Sequence, residues 1–221
     1  MKKRIKDYFS LISNKNFLKS IAILLISQGI LYYFVKYLQF DYHTINSSID
    51  NKIPFIPYFI YFYNFFYPFV FLTFYYVFCK DLEKYYQGIS AGIIGFVISN
   101  IIFIIYPTIM VLRPEINNID VVTDFIIKIT YSLDNPALNC FPSIHCLFCF
   151  QVILTTILSK NIKFTYKSLI TIVSFLIIMS TVLVKQHYFL DILGALIICI
   201  IANIIVYLLK VNTKLFKNYL N

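Results

Sequence analysis

Six apolar stretches, each of about the length that crosses a lipid bilayer, constrain the fold of this chain more than any other feature. An α-helix needs about 20 mostly apolar residues to span a bilayer, with a lower limit near 17. Hydrophobic residues make up 60% of the 221 positions, more than a water-soluble domain of this size could bury. The sequence therefore predicts an all-α polytopic membrane protein with six transmembrane helices. The predicted spans are Ile21–Leu38, Pro54–Phe78, Ile89–Met110, Pro142–Leu158, Leu169–Val184 and Tyr188–Leu209.

Positive charges are spread unevenly along the chain, and their positions predict the orientation of the helices. Of the 19 lysine and arginine residues, 14 lie before the first predicted span or just after the second, fourth and sixth. Those positions share one side of a membrane, and cytoplasmic loops carry an excess of Lys and Arg. Both termini are therefore expected in the cytoplasm. The formal net charge of +9 is read as an orientation signal, not as a nucleic-acid footprint.

No linker or second domain interrupts the apolar stretches, so residues 1–221 are predicted to form a single integral membrane domain. The first stretch follows a basic tail, as a signal peptide would. No small-residue cleavage site follows it, and it is expected to remain as an anchor. The five cysteines have neither disulfide nor zinc spacing, and no metal site is predicted.

Two composition features of the second and third stretches predict how those helices pack. Gly88, Gly92 and Gly95 have the spacing that lets helices approach closely. The dense aromatic residues of Tyr58–Tyr76 are expected to form an interfacial belt and a lipid-facing surface.

Three polar clusters fall at the ends of predicted spans. Arg113 and Pro114 follow the third span, residues 142–145 (Pro-Ser-Ile-His) open the fourth, and residues 185–187 (Lys-Gln-His) lie with Asp191 between the fifth and sixth. Ionisable groups at membrane depth are costly and are usually functional. Counting spans from a cytoplasmic start places all three clusters on the non-cytoplasmic side, so the sequence predicts one shared site there.

The residue types in these clusters suit an anionic ligand such as phosphate. His187 and Asp191 are four residues apart, so on a helix they share one face and the carboxylate can fix the imidazole tautomer. His145 lies beside a helix start, where free N–H groups favour anions. Arg113 and Lys185 offer positive charge. Each residue alone also has a structural interpretation, as an interfacial cation or a helix-stabilising pair; their common location favours a site.

At these residues the chain resembles the type 2 phosphatidic acid phosphatase superfamily. The pattern of that family is K-x6-R-P, then P-S-G-H, then S-R-x5-H-x3-D, spread over the last four helices of a six-helix fold. The resemblance covers about half the chain, with the motifs between residues 106 and 195. The matching residues are Arg113 and Pro114 in the first element, Pro142, Ser143 and His145 in the second, and Ser180, His187 and Asp191 in the third.

The chain departs from the family pattern at three positions. Tyr106 stands in place of the lysine, Ile144 in place of the glycine, and Thr181 in place of the third-element arginine. Lys185, two residues before His187, is expected to restore one missing cation. The local strings are similar to the branch that includes inositol phosphorylceramide synthase and many bacterial relatives.

The resemblance implies a mechanism for the polar residues. His187 is expected to attack phosphorus and form a phosphohistidine, Asp191 to orient its ring, and His145 to protonate the leaving group and then activate the acceptor. No metal or other cofactor is implied. The phosphoryl oxygens are expected to be bound by Arg113, Lys185 and Ser143.

The implied reaction is hydrolysis of a lipid phosphate, either a phosphomonoester or a diphosphate, within a bacterial plasma membrane and on its extracytoplasmic side. An alcohol acceptor such as inositol would instead make the protein a phospholipid head-group transferase. Tyr106 and Thr181 leave open a third reading, a non-catalytic relative that binds lipid. Nucleic acid is not an expected partner, and no sequence feature sets an oligomeric state.

Overall fold

The computed structural model describes residues 41–116 and 119–210, together with residues 15, 17–22, 24, 26, 34, 35 and 38. Within the two long ranges the regular structure is helical, with a short 3-10 turn at Pro57–Phe59 ahead of the first full helix. The all-α class is therefore confirmed for these ranges. The helices are α1 (Ile60–Lys80), α2 (Leu82–Ile105), α3 (Val121–Leu133), α4 (Ile144–Leu158), α5 (Phe164–Leu183) and α6 (Phe189–Leu209).

Four helical segments among the described residues are long and apolar enough to cross a membrane: Pro57–Lys80, Leu82–Ile105, Phe164–Leu183 and Phe189–Leu209. The protein is thus an integral membrane protein with four candidate spans in this part of the chain. The fourth predicted span is only a 15-residue helix, α4, about 22 Å long and shorter than a bilayer core. The first predicted span, residues 21–38, lies largely outside the described residues, and six spans with cytoplasmic termini stay a prediction.

The predicted third span was placed too late in the chain, and local chemistry explains the shift. The side chain of Asp81 accepts a hydrogen bond from the backbone N–H of Lys84 and so starts α2 at Leu82. The helix ends at Ile105 because Tyr106 precedes Pro107, and a residue before proline disfavours the helical conformation. Residues 106–111 therefore run as extended chain beyond the bundle end.

Helix α4 occupies the centre of the bundle, in contact with α1, α2, α5 and α6. Its approach to α2 is close because α2 presents glycines: a Cβ atom on Gly88 would lie 2.5 Å from Oγ1 of Thr155, and one on Gly92 would lie 3.0 Å from the ring of Phe148. Gly95 faces Leu147 in the same way. The predicted role of the glycines in tight packing is confirmed.

Buried amides join α4 to α6 inside this apolar core. Oε1 of Gln151 accepts a hydrogen bond of 2.8 Å from Nδ2 of Asn203, and Nε2 of Gln151 donates to Oγ1 of Thr155 at 3.1 Å. A polar group in a nonpolar interior must find a partner, because no water is available there. The bond between Gln151 and Asn203 holds α6 against α4, and the bond to Thr155 orients Gln151 within α4.

Extended segments converge at the end of the bundle where α4 and α6 begin. The N–H of Met110 donates to the carbonyl of Ala137 at 3.0 Å, and the N–H of Phe141 donates to Oγ1 of Thr108 at 2.8 Å. The chain from 106 to 111 is thereby tied to the residues that lead directly into α4.

Replacement of Gly88 by alanine tests the α2–α4 contact. We expect Gly88→Ala to lower the free energy of unfolding by about 1–3 kcal/mol, because the added methyl group overlaps Thr155. Thermal unfolding of the detergent-purified protein measures the change. The matched comparison is the same substitution in a Thr155→Ala background, where the two closest atoms are gone and the loss should shrink. Equal losses in both backgrounds would contradict the proposed overlap.

Candidate active site

The second and third polar clusters meet where α4 and α6 begin. Ser143 is the residue that caps α4, and its backbone N–H donates to the backbone carbonyl of Asp191, 3.2 Å away in the first turn of α6. The ring centroids of His145 and His187 are 6.0 Å apart. The structure therefore brings residues from the second and third polar clusters close together.

His187 is held through one ring nitrogen by two acceptors. Its Nδ1 lies 3.0 Å from Oδ2 of Asp191 and 3.1 Å from the carbonyl oxygen of Cys140. Neither a carboxylate nor a carbonyl oxygen can donate, so Nδ1 must carry the proton. In the neutral imidazole the lone pair then resides on Nε2, which is the nitrogen available to attack an electrophile.

Asp191 is fully buried and joins the histidine to the start of α6. Its Oδ2 also accepts from the backbone N–H of Tyr188 at 2.9 Å, while Oδ1 has no hydrogen-bond partner among the described residues. A carboxylate in the first turn of a helix is favoured by the helix dipole. The sequence argument placed His187 and Asp191 on one helical face, but α6 begins at Phe189. His187 therefore lies two residues before the helix begins, and it pairs with Asp191 in the first helical turn.

His145 lies in the first turn of α4 between aromatic rings of α1. Its ring stacks on Tyr63 with centroids 4.5 Å apart and contacts Phe66 at 4.3 Å. Its Nε2 is buried and finds no hydrogen-bond partner in the described part of the chain. Tyr63 and Phe66 are themselves buried. The expectation that the aromatic residues of this segment face lipid was wrong for these two, which form a wall of the site.

Ser143 supports the start of α4. The residue is fully buried, and its Oγ accepts a hydrogen bond of 3.3 Å from the backbone N–H of Cys146. This bond satisfies one of the free N–H groups of the first helical turn. His145 lies in this first turn, so the positive end of the helix is close to both histidines.

Arg113 reaches the site from the chain that follows α2. Its guanidinium stacks over the ring of Tyr131 at 4.7 Å, forms a 2.6 Å ion pair with Oδ2 of Asp134, and donates to Oε1 of Gln186. Its buried Nε has no hydrogen-bond partner among the described residues. Gln186 precedes His187 directly, so Arg113 is linked to the histidine segment. The sequence analysis placed Gln186 in a polar cluster but assigned it no role; its adjacency to His187 was the available signal.

Lys185 is bound by the loop that precedes α1. Its Nζ donates to the carbonyl oxygens of Ile53 at 2.7 Å and Asp50 at 3.0 Å, which uses two of its three N–H donors. Burial lowers the pKa of Lys185, and the nearby Asp50 carboxylate partly offsets this effect. Oδ1 of Asp50 also accepts from the backbone N–H of Phe189 at 2.7 Å. The loop therefore anchors the segment that carries His187 at both of its ends.

Two of the departures from the family pattern have structural roles. Tyr106 is exposed and stacks on His43 with centroids 4.5 Å apart. Thr181 is fully buried, and its carbonyl oxygen accepts from the N–H groups of both Gln186 and His187 at 2.9 and 3.0 Å. The Thr181 position thus shapes the turn that presents the histidine.

The long loop between α2 and α4 contains α3, which closes one side of the site. Tyr131 of α3 donates from its hydroxyl to the carbonyl oxygen of Val184 at 2.8 Å, and burial raises its pKa to about 12. Burial also raises the pKa of the Cys140 thiol, so Cys140 contributes its carbonyl oxygen and not a thiolate. Within residues 41–116 and 119–210, no cluster of His, Cys, Asp and Glu is placed to hold a metal ion.

These features define a helical membrane protein with a two-histidine polar site at one end of its helix bundle. A sequence model of the PAP2 superfamily matches residues 31–205, most of the chain. The chain therefore belongs to this superfamily, that of the type 2 phosphatidic acid phosphatases. Membership indicates lipid chemistry of the phosphatase or phosphotransferase type. No curated protein and no solved structure matches the chain at a significant level.

The tautomer of His187 can be measured directly. In protein labelled with ¹⁵N-histidine, at a pH where the imidazole is neutral, we expect Nδ1 of His187 to be protonated and Nε2 to be unprotonated, because both partners of Nδ1 are acceptors. NMR shifts distinguish the two forms, and a His187→Gln variant assigns the signal among the three histidines. Asp191→Asn should weaken the preference. A protonated Nε2 in the unsubstituted protein would contradict the assignment.

Proposed function

We propose that this protein is a metal-independent lipid-phosphate phosphatase that hydrolyses a phosphomonoester or diphosphate of a membrane lipid through a phosphohistidine on His187. The observation that carries the proposal is the hydrogen bonding of Nδ1, which leaves the lone pair on Nε2 beside a second imidazole. The paired histidines suit a nucleophile and an acid–base partner acting on one phosphoryl group.

The first half-reaction transfers the phosphoryl group to the enzyme. Nε2 of His187 attacks phosphorus, the P–N bond forms, and the P–O bond to the lipid alcohol or the departing phosphate breaks. Asp191 stabilises the positive charge that develops on the imidazole. His145, as imidazolium, donates its proton to the leaving oxygen, and contact with the rings of Tyr63 and Phe66 positions its side chain for that transfer.

The second half-reaction releases phosphate. Neutral His145 accepts a proton from water, the resulting oxygen attacks phosphorus, and the P–N bond breaks to return the electron pair to Nε2 of His187. The same side chain thus serves as acid and then as base. Both histidines end in their starting states, and inorganic phosphate leaves.

The phosphoryl oxygens require positive groups around them, since phosphoryl transfer gains most of its rate from charge stabilisation. Arg113 supports this role because its buried Nε is unpaired among the described residues, and a phosphoryl group can replace Asp134 on the guanidinium. The start of α4, capped by Ser143, adds backbone donors. Nζ of Lys185 uses two of its three N–H donors on the carbonyls of Asp50 and Ile53, which leaves one donor and its positive charge for the phosphoryl group.

The lysine distribution supports a site on the extracytoplasmic face of a bacterial plasma membrane. Lys80 and Lys84 lie at the junction of α1 and α2, and Lys160, Lys163 and Lys167 lie around the junction of α4 and α5. Both junctions are at the opposite end of the bundle from the starts of α4 and α6. By the positive-inside rule the lysine-rich end faces the cytoplasm.

A lipid tail has an apolar path beside the site. A groove along α1 is lined by Phe66, Val70 and Phe74 and is bordered by Phe148 of α4. Phe66 also contacts the ring of His145. A head group at the histidines can therefore keep its hydrocarbon tail in this groove, which favours a lipid phosphate over a water-soluble ester.

Replacement of the nucleophile tests the catalytic proposal. We expect His187→Ala to reduce phosphate release by at least about a thousandfold, because loss of a covalent nucleophile removes the reaction path. The assay uses purified protein with phosphatidate or undecaprenyl diphosphate in the presence of a chelator. The matched control is His43→Ala, an exposed histidine with no assigned role in the reaction, which should leave the rate unchanged. Full phosphate release by a folded His187→Ala variant would exclude His187 as the nucleophile, and no phosphate release by the unsubstituted protein would identify a non-catalytic lipid-binding relative.

The identity of the acceptor separates hydrolysis from head-group transfer. As a phosphatase the protein should release phosphate from phosphatidate in buffer alone, and added inositol should not change the products. Mass spectrometry of the lipid and phosphate products measures this. Product formation only when inositol or another alcohol is present would identify a transferase instead, the activity suggested by the resemblance of residues 185–188 to the inositol phosphorylceramide synthase branch.

A further inference from the structure

Helix α3 carries an exposed apolar stripe that no part of the described chain covers. Phe125 is 63% exposed and Leu133 is 77% exposed, values that are unusual for large apolar side chains in water. The positions recur at intervals of three and four residues, so they share one face of the helix. The stripe consists of Val122, Phe125, Ile129 and Leu133.

The opposite face of α3 is fixed to the protein. Oγ1 of Thr123 is 3.0 Å from the hydroxyl of Tyr61, and Oγ1 of Thr130 accepts from Nδ2 of Asn64 at 3.1 Å. Both partners lie in the first turns of α1. Helix α3 is therefore held beside the first turns of α1. This is where the candidate membrane span Pro57–Lys80 meets the membrane surface.

On one side of the stripe, polar residues separate it from the face of α3 that contacts the protein. At about 100° per residue, Lys128 and Ser132 lie between Tyr131, which contacts the site, and Phe125. Lys128 and Ser132 are both exposed. On the other flank the stripe runs directly into the side that contacts α1. The helix thus has three faces: one on the protein, one polar and one apolar.

We propose that α3 lies in the interface of the phospholipid bilayer, with the apolar stripe inserted among the lipids and Lys128 and Ser132 directed toward water. The observation that selects lipid as the occupant is continuity with α1. Tyr61 and Phe65 of α1 are 44% and 43% exposed on a candidate membrane span, and the hydroxyl of Tyr61 lies 3.0 Å from Oγ1 of Thr123 in α3. Amphipathic helices with this arrangement bury their apolar face at the boundary of head groups and acyl chains.

Docking of α3 in the bilayer also bears on the neighbouring site. Tyr131 near the end of α3 stacks on Arg113, and Asp134 just after α3 pairs with the same guanidinium. A helix anchored in the interface therefore holds these contacts at a fixed depth, close to where a lipid head group lies.

The chain contains no tryptophan, so a single introduced tryptophan reports its own depth. The full-length protein with Phe125→Trp is reconstituted in phosphatidylcholine and phosphatidylglycerol vesicles, with and without brominated acyl chains. We expect blue-shifted emission that brominated lipid quenches strongly and aqueous acrylamide quenches weakly. The matched variant Lys128→Trp, about one turn away on the polar edge, should show the reverse pattern.

Two results would overturn the proposal. Quenching of Phe125→Trp by acrylamide to the same extent as Lys128→Trp would place the stripe in water. Protection from both quenchers, with crosslinking between copies through this face, would show that a second copy of the chain covers it. If Phe125→Trp does not fold, Leu133→Trp tests the same stripe with the same two outcomes.

Discussion

Asp191 makes the interactions on which the arrangement of this end of the molecule depends. Its carboxylate accepts from Nδ1 of His187 and from the backbone N–H of Tyr188, and its backbone carbonyl accepts from the N–H of Ser143. One fully buried residue thus starts α6, orients a histidine and fixes the start of α4. Because Oδ2 accepts both N–H donors, the same contacts that form the fold also select the histidine tautomer.

The short central helix explains how so many polar groups can meet inside an apolar protein. Helix α4 contacts four other helices and is mostly buried, so it can be shorter than a bilayer. Its first residues therefore lie where extended segments and loops can reach them. The tight contacts with the glycines of α2 and the hydrogen bond between the side-chain amides of Gln151 and Asn203 hold this helix in place. The polar end of the bundle thus depends on packing deeper in the core.

The turn that presents His187 is held by contacts between neighbouring segments. Thr181 provides a carbonyl that bonds the N–H groups of Gln186 and His187, and Gln186 in turn accepts from Arg113. The third-element arginine of the family is absent, but the surviving Arg113 is connected to the histidine turn through an amide. Lys185 is directed to the carbonyls of Asp50 and Ile53 and stabilises the loop there.

The sequence by itself determined the helical class, the apolar segments and the residues that meet at the site, because apolar length, helix breakers and motif spacing are local properties of the chain. The sequence analysis placed the start of α2 too late in the chain. It also expected the aromatic rings of Tyr63 and Phe66 to face lipid, whereas they are buried at the site. Only the tertiary structure decided that Nδ1 of His187 is protonated, since one of its two acceptors is a carbonyl 47 residues away. Likewise the partners of Arg113 come from α3, from the residue just after it and from a turn 73 residues along the chain. Such contacts depend on packing between distant segments, which no local pattern encodes.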